Sequence, residues 1–187
     1  SVYIANYIIQ NQKKIKQATA QEISQLVGEA YMMRAYCHFL LVNLYAEPYT
    51  HCTPSQTRGV PMLLEPDVNA IPGSSSVETV YNQILSDLDK AEQYLNVEEW
   101  ELGKNYRFNT TSAQALRART YLYMGRWSDA LEASKDVLSV YNELEDMNNS
   151  TTLPNSYKSK ESIVALERFS SNLYTAVDMP ASEFISL

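Results

Sequence analysis

Cysteine beside histidine is the pairing in this chain best equipped for chemistry, and it occurs twice, as Cys37-His38 and His51-Cys52. Thiolate and imidazole together suggest zinc, but the spacing argues against it. Adjacent helical residues point about 100° apart, and structural zinc cysteines are usually separated by two to four residues. The expectation is therefore a packed Cys37, an exposed His51 and no metal. A second set surrounds Trp100, where Glu98, Glu99 and Glu101 supply the carboxylates that glycoside hydrolysis needs. A polar acidic loop gives neither burial nor fixed spacing to set one carboxyl apart from another, so these acids are expected to be solvated. Glu29 and Arg34 lie within an otherwise apolar stretch. Buried charges are normally paired, and a structural partner in the core is the expected role of both.

Most other motif-bearing enzyme classes are excluded by composition. The five glycines, Gly28, Gly59, Gly73, Gly103 and Gly125, never lie closer than 14 positions apart. That removes the dinucleotide fingerprint, the P-loop and the nucleophile elbow, each of which needs glycines a few residues apart. The two histidines, His38 and His51, cannot form H-E-x-x-H. Lys and Arg total 15 against 22 Asp and Glu, for a net charge of −7, which disfavours a nucleic-acid partner. No apolar run reaches the length of about 18 residues that a membrane span requires. Residues counted as hydrophobic make up 45 %, enough for a packed core in a single domain.

Helices must position whatever does the work. Ile4, Tyr7, Ile8 and Ile15 mark a first helix, and a second is expected from Glu22 to about Tyr45. The back half of the second, Ala35 to Tyr45, is apolar on nearly every face and should lie in the interior. Residues 46–74 form a long connection with five of the seven prolines. Ser75-x-x-Glu78 reads as a capping box for a third helix, with a stripe from Val77 through Val80, Ile84 and Leu88 to Leu95. A polar loop from Asn96 to Asn109 leads to a fourth helix, Ala113 to Met124, ended by Gly125-Arg126. A fifth helix carries Ala130, Leu131 and Leu138, and Ser162 to Leu166 reads as a short strand. Ala118, Tyr121, Gly125, Trp127 and Ala130 match part of a tetratricopeptide hairpin. Trp127 is expected to be buried between its two helices, and the helix pair 22–45 and 77–95 to be a degenerate copy with a long insertion.

Several strings, taken in order, resemble one family. Gly28-Glu29-Ala30 with Arg34-Ala35, Phe39, Leu41 and Tyr45 resembles the Gly-Glu-Ala-x-x-x-Arg-Ala helix of the SusD/RagB family, and Ala5-Asn6 matches its preceding helix. Arg58-Gly59-Val60-Pro61 resembles its Gly-Val-Pro segment, and Ser76-Val77 through Tyr81 to Asp87-Leu88 its next helix. Tyr106-Arg107-Phe108 through Leu122-Tyr123-Met124-Gly125-x-Trp127 to Ala130-Leu131 resembles its Ala-rich segment, and Ser162-Ile163-Val164 the strand that follows.

The resemblance implies a mainly α fold, tetratricopeptide-like α-hairpins with long loops and at most one short strand or hairpin near the C-terminus. It implies residues 1–187 as one N-terminal and central helical region, incomplete at both ends. The implied function is non-catalytic binding of glycan or another oligomeric nutrient at the cell surface, for delivery to a SusC-like TonB-dependent transporter. No enzyme activity, cofactor or nucleic acid is implied. The protein would sit on the outer membrane through a lipid anchor that this chain lacks. Export to an oxidising compartment would permit a Cys37–Cys52 disulfide, although a free thiol is ordinary in so apolar a helix. The rival reading is a generic tetratricopeptide-like scaffold for protein partners.

Among the 14 tyrosines, those on helix stripes are expected in the core. Loop aromatics Tyr49, Tyr106 and Tyr157, with Trp100, are able to stack on the apolar C–H faces of sugar rings. Trp100 ranks first as a ligand contact, ahead of Tyr49 and Tyr106, and is expected to face solvent and add little to stability.

Overall fold

The computed structural model describes residues 2–149 and 156–166. Its helices are α1 (Val2–Asn11), α2 (Ala20–Tyr45), α3 (Val77–Tyr94), α4 (Thr110–Tyr123) and α5 (Trp127–Val140). Strands β1 (Arg58–Pro61) and β2 (Ser74–Ser76) pair antiparallel within the connection between α2 and α3. The mainly helical architecture expected from periodicity is the one found. The short sheet lies in that connection, however, and Ser162–Leu166 is irregular rather than a strand. The remainder of the segment expected to pair near the C-terminus, from residue 167 on, falls outside the described residues.

Capping sets the helix boundaries. Thr19 and Glu22 form a capping box at the start of α2, and Asn109 and Ser112 form one for α4. The third helix is capped one position later than its sequence suggests. Ser76, not Ser75, accepts from the Thr79 amide, because Ser74–Ser76 is held extended in β2. Helix α4 stops where Gly125 adopts φ 72°, and the Arg126 amide bonds back to the Tyr121 carbonyl.

Helices α2 and α3 run antiparallel. Ser24 Oγ donates to the Tyr94 carbonyl near one end, and Tyr81 donates to Asn43 Oδ1 near the other. Between them Met32, Ala35, Phe39 and Val42 of α2 meet Val80, Tyr81, Ile84 and Leu88 of α3, with Phe108 and Leu116 closing one side. Not all the apolar back half of α2 is interior. Leu44 and Tyr45, in its last turn, are 71 % and 76 % exposed. The closest approach is at Gly28, where an added Cβ would lie 2.7 Å from the Leu95 nitrogen and 2.8 Å from its Cγ. Gly28→Ala should therefore lower stability by about 1–2 kcal/mol in a urea melt, because the clash with backbone outweighs the better helix propensity.

Arg34 and His38 are buried polar groups within the core. Arg34 is bound by Asp87 and Asn6, the structural partnership expected for it. His38 is buried, and its Nδ1 has no partner among the described residues. Burial pushes its imidazole below the ordinary value of 6.5, with Asp87 opposing and Arg34 reinforcing the shift. The unfolded chain then takes up a proton that the folded chain resists. Stability is full above pH 6.5 and falls as pH drops below it, toward the lowered folded value. Urea midpoints measured downward from neutral pH should show this fall, and His38→Gln should flatten it above the carboxylate range.

Helices α4 and α5 form the expected hairpin, but Trp127 does not lie between them. Small residues, Ala118, Ala130 and Ala133, make the crossing, so the helices approach too closely to admit an indole. Trp127 instead opens α5 and is 64 % exposed, beside Leu122 and Leu131.

Candidate functional site

The polar segment 96–109 is held from both sides. Gln25 of α2 is buried and spans it, its Oε1 accepting from the Asn96 and Val97 amides and its Nε2 donating to the Phe108 carbonyl. The Trp100 indole N–H donates to the same Phe108 carbonyl at 3.0 Å. Arg107 lies 4.2 Å above the Trp100 ring and pairs with Glu29 of α2 at 2.6 Å. Glu29 is thus paired structurally, as expected. Glu98, Glu99 and Glu101 are exposed. Glu101 pairs with Lys104, which holds its carboxyl below the ordinary range.

This arrangement changes the standing of the three candidate contacts. Trp100 is half-buried, with its N–H and one ring face already engaged, so it acts as a brace rather than a free platform. Tyr49 sits in a 3-10 turn and packs edge-on against Tyr81 at 5.0 Å. Its hydroxyl is pushed up chiefly by burial, with the Glu78 charge adding to the shift. Only Tyr106 presents a largely open ring, 58 % exposed.

Tyr106, like Met33, lines two recesses. One, of about 720 Å³, is lined by Met33, Asn105, Tyr106, Tyr157, Ala165 and Leu166, with Gly103 at its rim. The other, about 500 Å³, is lined by Ile4, Ile8, Leu26, Met33, Arg107 and the buried Phe108. Tyr157, which the sequence placed among the loop aromatics without ranking it, shares the first recess with Tyr106. No sequence spacing links these two tyrosines. They share the recess because the segment 156–166 folds back onto the 96–109 loop.

The site offers stacking surface and amide or hydroxyl hydrogen bonding. Among the described residues no group of three or more His, Cys, Asp or Glu side chains could hold a metal ion. Cys37 and Cys52 are both free thiols. Cys37 lies near the Met33 sulfur, and Cys52 near the Tyr49 carbonyl. No helix among the described residues is long and apolar enough to cross a membrane.

A SusD-like family model, described as starch-binding and associating with the outer membrane, matches residues 1–122. A SusD-like protein of Formosa agariphila is 26 % identical over 120 residues, covering 62 % of this chain and 21 % of that protein. Among solved structures, a SusD superfamily protein of Bacteroides thetaiotaomicron is 31 % identical. It superposes with a TM-score of 0.67 over 73 % of this chain and 29 % of its own. A SusD-like carbohydrate binding protein of Bacteroides vulgatus is 20 % identical, with a TM-score of 0.76 over 87 % of this chain and 34 % of its own. The chain therefore spans about a fifth to a third of the length of these relatives.

Proposed function

Because this chain belongs to the SusD-like family, we propose that it is the helical region, residues 1–187, of a non-catalytic surface protein that binds oligosaccharide. The observation that carries the reading is the pairing of Tyr106 and Tyr157 on one open cleft beside Asn105. Aromatic faces cover the C–H side of a pyranose, while amide and hydroxyl groups bind its hydroxyls. Such recognition is non-covalent and requires no proton transfer. The carbohydrate binding named for the relative from Bacteroides vulgatus supports the ligand class.

In the whole protein the bound oligosaccharide passes to a SusC-like TonB-dependent transporter, and a lipid anchor holds the assembly at the outer membrane. The family's association with the outer membrane supports that placement. Co-purification of such a transporter with the tagged full-length protein tests it.

Binding itself is tested with a panel of neutral oligosaccharides. Tyr106→Ala should weaken the strongest interaction about 3- to 10-fold, while the melt stays within about 0.5 kcal/mol of the parent. Unchanged affinity would remove Tyr106 from the site. The exposed Trp127–Leu131 face of α4–α5 favours a second reading, a scaffold for protein partners. Peptide capture without any oligosaccharide binding would select it.

A further inference from the structure

Asn105 occupies the junction of the two segments that carry the cleft tyrosines. Its side-chain Nδ2 donates to the Tyr157 carbonyl at 2.7 Å, and its own carbonyl accepts from the Ala165 amide at 2.9 Å. Tyr106 follows it directly in the chain, and the next two residues are fixed, Arg107 by Glu29 and Phe108 by burial of its ring. Tyr106 is thus anchored on both sides. Tyr157 has a different support. It is 36 % exposed with the Lys158 ammonium 5.6 Å over one face of its ring, and the Asn105 amide holds its backbone against the 96–109 loop.

We propose that Asn105 is the positioning residue of the cleft, tying the turn that bears Tyr157 to the loop that bears Tyr106 and so fixing the spacing of the two rings before an oligosaccharide arrives. The inference rests on the carbohydrate reading of this cleft and adds how the cleft is set. Two stacking faces on separate segments bind a chain of sugars well only if their separation is fixed in advance. Otherwise the ordering of the Tyr157 turn is charged against affinity at each encounter. The backbone carbonyl that holds Ala165 is common to any residue, and what asparagine adds is the side-chain amide donor that holds the Tyr157 carbonyl. Aspartate has the same shape but turns an acceptor toward the Tyr157 carbonyl.

The full chain, with Asn105→Ala and Asn105→Asp made separately, is examined in two ways. Amide hydrogen exchange, which needs no sugar, should quicken several-fold across residues 156–160 in both variants while the α3 amides keep their protection. Calorimetry then uses the tightest binder among maltoheptaose, laminariheptaose, cellohexaose and xylohexaose. Affinity should fall about 3- to 10-fold in each variant. Asn105→Ala combined with Tyr157→Ala should bind no more weakly than Tyr157→Ala alone, because the asparagine acts through that ring. Unaltered exchange at 156–160, or losses that add in the double variant, would overturn the positioning role. If none of the four sugars binds the parent chain, the carbohydrate reading falls, and the exchange result alone still upholds or overturns the tie between the two segments.

Discussion

Arg34→Ala should cost about 3–5 kcal/mol of folding stability, read from urea denaturation with the parent chain as reference. The guanidinium is buried and fully engaged. Its Nε and Nη2 donate to the two oxygens of Asp87 at 2.8 and 2.5 Å, and its Nη1 donates to Asn6 Oδ1 at 2.9 Å. Asn6 passes the connection on, its Nδ2 donating to the Leu63 carbonyl at 2.8 Å. One side chain therefore ties α2 to α3, to α1 and to the chain beyond β1. Truncation would leave the Asp87 carboxylate buried with Gln83 as its remaining side-chain partner, and an uncompensated charge in that position is the source of the cost. Arg34→Lys should recover part of the loss, since an ammonium keeps the charge but cannot span both carboxylate oxygens. Replacing the pair together, as Arg34→Met with Asp87→Leu, should be far milder than either truncation. If Arg34→Ala melts like the parent, the network is not a fastening.

The second large effect is expected at Trp100, where alanine should remove about 2–3 kcal/mol, somewhat less than a fully buried tryptophan. The indole contributes a hydrogen bond to Phe108 and a face for Arg107. Both hold the strand of chain that leads from Tyr106 into α4. Trp100→Phe keeps the ring face and drops only the donor, so it should cost about 1 kcal/mol. A melt unaffected by Trp100→Ala would return the residue to the role of a free stacking face.

These two sites show what a single sequence can and cannot disclose. Arg34 was legible because a charge in the middle of an apolar helical stripe has few options, and pairing within the core is the usual one. The α3 stripe was legible because periodicity is a local property, repeated over five turns. Trp100 was not legible as a brace, since its partners are a carbonyl eight residues away and an arginine whose own partner, Glu29, is 78 positions distant. Polar neighbours on both sides made it look solvent-facing. Trp127 failed for the opposite reason. The hairpin pattern was correct, but the indole's position at the first residue of α5 placed it beyond the alanine crossing. The β1–β2 pairing was hidden by composition, because serine and proline carry little strand signal. Tyr106 was visible as a loop aromatic, yet its partnership with Tyr157 exists only through the return of residues 156–166.

The long connection that holds β1 and β2 also sets an order of events as the chain folds. Helices α4 and α5 are joined by residues 124–126, whereas α2 and α3 must find each other across residues 46–76. With a roughly tenfold difference in loop length, closing the longer one carries about 2 kcal/mol more entropic penalty. The short hairpin can assemble from contacts close in sequence. The main core must await a distant encounter, which the β1–β2 pairing then locks in place. Substitutions in β1 should therefore slow the appearance of tyrosine burial at Tyr81 during refolding, while leaving the rate at which α4 and α5 come together unaltered.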